Sequence, residues 1–144
     1  MNETLPALKS GLRLSRRMTV RACHTVPEVD DSWPGFKDMP PVFATAMMVG
    51  FIEQTCIEAL RPYLTAQRRT VGTHVDVSHL AATPAGMSVT AEIELIAIEG
   101  RSLCFRVGCA DDAGIISEGT HRRAIIDLDK FWKRVTEKKE RFSV

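Results

Sequence analysis

The chain has 144 residues, enough for one domain with a substantial core and too few for two. Its hydrophobic fraction of 44% and charged fraction of 26% are those of an ordinary globular protein, with no run apolar for long enough to cross a bilayer. A formal net charge of +1 removes any general pull toward nucleic acid or an anionic membrane.

The first residues, MNETLPALKSGLRLSRR, lack the apolar centre of a secretory signal, so the cytoplasm is the expected location. From Leu12 to His24, Leu14, Met18, Val20 and Ala22 fall on even positions, and that period of two predicts a strand. Pro27 to Pro41 holds four prolines, Gly35, Trp33 and Phe36, and reads as an ordered loop that covers something. From Pro41 to Leu64 the residues Ala44, Met47, Met48, Phe51, Ile52, Cys56, Ala59 and Leu60 recur at helical spacing. Pro62 marks the end of that helix, because the residue before a proline disfavours helical geometry. Apolar on nearly all sides, such a helix is expected to be wrapped by other structure.

Four strands follow. Val71–Leu80 comes first, then Met87–Ile98, which puts Met87, Val89, Ala91, Ile93, Leu95 and Ala97 on one face. Glu99-Gly100-Arg101 turns the chain into a strand with Leu103, Phe105, Val107 and Cys109 inward. Asp111-Asp112-Ala113-Gly114 turns it back along Ile115–Leu128, and Asp129–Arg141 predicts a short amphipathic helix with Asp129 as N-cap. Strand, long helix, then four antiparallel strands is an α+β order. A curved sheet wrapped around one apolar helix buries both, and this is the hot-dog arrangement, here as a single domain over 1–144. Its open edges predict pairing of two copies. Cys23, Cys56, Cys104 and Cys109 show no metal-binding spacing and read as reduced thiols; no metal or other cofactor is expected.

Three residues stand out chemically. Glu53 is the only charge between Pro41 and Ile57, and a carboxylate amid apolar neighbours needs a partner or a task; the plainer alternative is a solvated stripe with Gln54 and Glu58. His79 shares a strand face with Val75 and Val77, where it is either a satisfied core histidine or the partner of Glu53 in activating a water. Thr45, near the helix start, is a cap or a catalytic hydroxyl. If both were helical, Thr45 and Glu53 would lie roughly 12 Å apart along the axis and could not touch directly. Gly72 either relaxes a strand or lets a carbonyl approach a backbone N–H. His121 and Arg123 share one face of the last strand, for pairing with acids such as Glu118 or Asp127, for subunit contacts, for holding phosphates or for shaping a site.

The blocks PPVFATAMMVGFIEQTCIEALRPYL, VGTHVDVSHLAATPAGMSVTAEI, EGRSLCFRV and GTHRRAIIDLDKF together resemble the fluoroacetyl-CoA thioesterase-like family, in order and with near-identical spacing from about Met18 to Phe131. The resemblance implies a homodimeric hot-dog enzyme that cleaves acyl-CoA with a threonine, a glutamate and a histidine. These fall on Thr45, Glu53 and His79, with the strand glycine on Gly72 and the arginine of the last block on Arg123. The fluoroacetyl-selective member gates its pocket with two phenylalanines; Phe36 matches the first and Met39 replaces the second, which points to a different short or medium acyl group. Thr45 is then a nucleophile or a donor to the bound carbonyl, with Glu53 able to activate water directly. A hot-dog enoyl-CoA hydratase and a non-catalytic acyl-CoA binder are the competing readings.

Overall fold

A computed structural model describes residues 5–143. Five strands form one antiparallel sheet: β1 (Arg13–Thr19), β2 (Arg68–Val77), β3 (Ser88–Glu99), β4 (Ser102–Asp111) and β5 (Gly114–Asp127), in the order β1-β3-β4-β5-β2. Three helices accompany them: α1 (Pro34–Lys37), α2 (Thr45–Leu60) and α3 (Leu128–Phe142). Alternation builds the inner face of the sheet. Val89, Ala91, Ile93 and Leu95 of β3 and Leu103, Phe105, Val107 and Cys109 of β4 are buried against Met48, Ile52, Cys56 and Leu60 of α2. The predicted α+β plan of a sheet around one helix is the observed one.

Several boundaries differ, for local reasons. The first strand stops at Thr19, and Ala22–His24 forms a 3-10 turn instead of continuing it. The proline-rich loop contains the single-turn helix α1, which Pro34 opens. Helix α2 starts at Thr45, four residues later than predicted, and after Leu60 the chain tightens into a 3-10 turn over Arg61–Tyr63, with Pro62 at its start. A register shift between Leu95 and Ala97 interrupts the alternation, so that Ala97 pairs with Cys104 and Ile98 with Leu103; Ile96 and Ile98 are exposed. The helix expected over Asp129–Arg141 begins at Leu128, its N-cap being Asp127 with no side-chain cap bond.

The larger correction concerns α2. It is wrapped on one side only: Thr45, Ala46, Gly50 and Gln54 are exposed. Five strands with β1 and β2 at the two edges curl around less than the full helix, so the stripe Ala46, Gly50 and Gln54 of α2 stays open.

Candidate active site

Backbone pairing sets up the start of α2. Residues 42–44 are clamped between two segments: Val26 N–H donates to Val42 O and Ala44 N–H to His24 O, while Phe43 N–H donates to Thr83 O. Thr83 is itself anchored through its hydroxyl to the Asp111 carboxylate at the β4–β5 turn (2.7 Å). Thr45 therefore begins the helix from a fixed point, with Ala44 as N-cap and no side-chain cap bond, so its hydroxyl is not spent on capping. It lies 2.7 Å from His79 Nδ1.

His79 lies just past the end of β2, not within a strand as predicted. The bonds Ser78 N–H to Glu118 O and Leu80 N–H to Ile116 O hold it on both sides. Burial pushes its imidazole below the usual 6.5, against an opposing backbone hydrogen bond at Ala81, which favours the neutral ring a general base requires. Its Nε2 is buried and meets no hydrogen-bond partner among the described residues.

Glu53 is two helical turns further along, as the axial rise dictates. The expected Glu53–His79 contact does not form within one chain. Glu53 Oε2 instead accepts from Arg123 Nη1 at 2.8 Å and lies 4.0 Å from His121 Nε2. Arg123 is 3% exposed and committed inward, with Nε donating to Thr70 Oγ1 and Nη2 to Thr70 O, both at 2.9 Å. Of the roles considered for it, shaping the site fits this geometry, whereas gripping a phosphate at the surface does not. Its acid is Glu53, neither Glu118 nor Asp127. Thr70 was not singled out in the sequence; only the β2–β5 register, which pairs Gly72 with Arg123, brings it there.

Gly72 closes this second cluster. A Cβ built there would lie 2.9 Å from Glu53 Oε2 and 3.3 Å from His121 Cε1. The glycine is needed because the carboxylate packs against the strand backbone, next to a register shift between Gly72 and His74. Val49, Ile52, Val75 and Val77 complete a shallow apolar cleft around Glu53 and His121. Ahead of the helix, Trp33 meets the Phe36 ring edge-on with centroids 5.0 Å apart, and Met39 is 53% exposed. A groove of about 900 Å³ runs along β1, β3, β4 and β5 past Arg13, Glu94 and Arg106 and contains none of these residues.

Comparison with known proteins meets this geometry. The profile of the fluoroacetyl-CoA-specific thioesterase family matches residues 18–129. The chain belongs to that family. The fluoroacetyl-CoA thioesterase of Streptantibioticus cattleyicolor is 42% identical over 135 residues, 91% of this chain and 97% of that protein. A solved variant of a fluoroacetyl-CoA-specific thioesterase, in complex with fluoroacetate and CoA, superposes with a TM-score of 0.84 at 41% identity, over 86% of this chain and 99% of that one. A hot-dog-like protein from Thermanaerovibrio acidaminovorans, 23% identical, superposes with a TM-score of 0.77 over 94% of this chain and 93% of that one. The fold is the hot dog. Membership of the thioesterase family gives the two clusters, Thr45–His79 and Gly72–Glu53–His121–Arg123, a common chemical frame.

Proposed function

We propose that this chain hydrolyses a short acyl-CoA thioester to the free acid and CoA, with Thr45, Glu53 and His79 as the catalytic set. The observation that carries the reading is the 2.7 Å contact between Thr45 Oγ1 and His79 Nδ1, in a chain that belongs to a thioesterase family. A neutral imidazole takes the hydroxyl proton as Thr45 Oγ1 attacks the thioester carbonyl, and the proton passes to the departing CoA thiolate. Water, deprotonated by the same imidazole, then releases the acid from Thr45. A backbone N–H beside Gly72 of the partner subunit receives the developing oxyanion.

Glu53 is too far along α2 to reach His79 of its own chain. Two features favour a homodimer in which it serves the other subunit: β2 is an unpaired sheet edge, and the Ala46, Gly50 and Gln54 stripe of α2 is exposed. Antiparallel pairing of two β2 edges brings the end of one strand, with His79, toward the Gly72 region of the other. A Glu53 carboxylate there sets a negative charge beside His79 and supports the imidazolium that forms, as the acid of a hydrolase triad does. The substrate is a small acyl group bound under Phe36 and Met39. Four free thiols suit a reducing compartment, so the cytoplasm is the proposed location.

Free thiol release from acetyl-, fluoroacetyl-, butyryl- and hexanoyl-CoA tests this directly. Glu53→Gln and His79→Ala should each lower kcat by about a hundredfold or more, since each ~1.4 kcal/mol of barrier is a factor of ten. Absence of turnover on every ester, or folded variants with wild-type rates, would overturn the assignment.

A further inference from the structure

Among the buried titratable side chains that the mechanism does not use, one lies directly against its machinery. His121, on the inner face of β5, is 1% exposed, and both of its ring nitrogens are engaged. Nδ1 lies 2.7 Å from His74 O, an atom that only accepts, so Nδ1 carries the hydrogen. Nε2 lies 3.1 Å from Arg123 Nη1, an atom that only donates, so Nε2 is bare. These partners leave one state, the neutral Nδ1–H tautomer. A proton on Nε2 would set an N–H against the guanidinium N–H and, with 3% of Arg123 exposed, the arginine has little room to retreat.

The same Arg123 Nη1 donates to Glu53 Oε2 at 2.8 Å. Thr70 holds the other two nitrogens, through Oγ1 and its carbonyl oxygen. The guanidinium is thus fixed from three directions: Thr70 on the edge strand, His121 on its own strand, and the Glu53 carboxylate on the helix. We propose that His121 is a positioning residue, whose bare Nε2 fixes Arg123 so that Arg123 holds the Glu53 carboxylate against Gly72. The inference rests on the thioesterase reading for the task of Glu53, and on hydrogen-bond geometry alone for the state of the ring. The charged and titratable groups around the ring are Glu53 from α2, His74 from β2 and Arg123 beside it.

Two measurements separate this role from simple packing. In protein with ¹⁵N-labelled histidine, His121 should show a protonated Nδ1 and a bare Nε2 at neutral pH. An Nε2–H tautomer or an imidazolium there overturns the proposal, whatever the enzyme activity. His121→Leu fills the volume but offers no acceptor, and should lower kcat by ~100-fold with KM changed by less than about threefold. His121→Gln places an amide oxygen near the Nε2 position and should recover to within ~10-fold of wild type. In a Glu53→Gln background, His121→Leu should lower kcat no further, because its effect passes through Glu53. If the Leu and Gln variants lose equal activity, or the double variant loses the product of the two single effects, His121 is a packing residue and the proposal fails. Should His121→Leu not fold, the tautomer and the Gln variant still decide. A wild-type protein inactive on every ester sinks the thioesterase reading instead, and the tautomer then reports on the strut by itself.

Discussion

At the scale of single residues, Gly72 shows how closely strand and helix chemistry are packed. A methyl group there would sit 2.9 Å from a carboxylate oxygen, so Gly72→Ala forces Glu53 or the strand to move. Thiol release by Gly72→Ala should fall ~10- to 100-fold with KM changed little, as for a misplaced catalytic group. As the proposed base, His79 should carry the pH dependence. Burial alone lowers its basicity, whereas a carboxylate beside the ring raises it. The acid limb of kcat/KM marks the loss of the neutral ring as pH falls. With the carboxylate removed the ring holds its proton less well, so in Glu53→Gln the limb should move to lower pH than in wild type. A limb that stays in place, or moves up, separates Glu53 from His79.

At the scale of elements, α1 and the loop around it form a cover ahead of the N-terminus of α2. Trp33 braces Phe36 edge-on, while Met39, on the next turn of chain, is more than half exposed and bends freely. A gate acts by discriminating between transition states, so changes at Met39 should alter the ratios of kcat/KM among acyl groups. Met39→Phe should favour the shortest esters and Met39→Ala the longer ones, by no more than ~10- to 200-fold, the range a methylene or two is worth in an apolar pocket. Ratios among acetyl-, butyryl- and hexanoyl-CoA that stay constant in both variants would make Met39 a packing residue. The terminal helix α3 follows its sequence pattern, but its apolar stripe is not covered: Trp132 is 65% exposed among Lys130, Lys133 and Arg134.

At the scale of the whole molecule, the proposed site is divided. Thr45 and His79 meet at one end of α2, Glu53 and Arg123 two turns away. If the dimer joins them across subunits, inactive variants should complement each other. A hybrid of a Glu53→Gln subunit with a His79→Ala subunit has one site with both defects and one site intact. Random mixing makes about half of all dimers hybrid, so activity should return to roughly a quarter of wild type. Within a single-chain site every hybrid site is broken, and mixing would restore nothing.

Much of this protein was set by the sequence alone. Helix α2, the inner faces of β3 and β4, the inward pair His121 and Arg123 and the two hairpin turns all follow from periods of 3.6 and 2 and from Gly and Pro positions, which act over a few residues of chain. So did the family, because its motifs are contiguous. Even the separation of Thr45 from Glu53 was readable, since it needs only the rise of a helix. What sequence could not decide was partnership. Glu53 meets Arg123 across 70 residues, His79 meets Thr45 across 34, and Thr70 meets Arg123 across 53. Those pairings depend on the register of β2 against β5, including the shift beside Gly72, and on how far five strands close around a helix. One residue of slip reverses every side chain on a strand, so no local pattern encodes which ones meet.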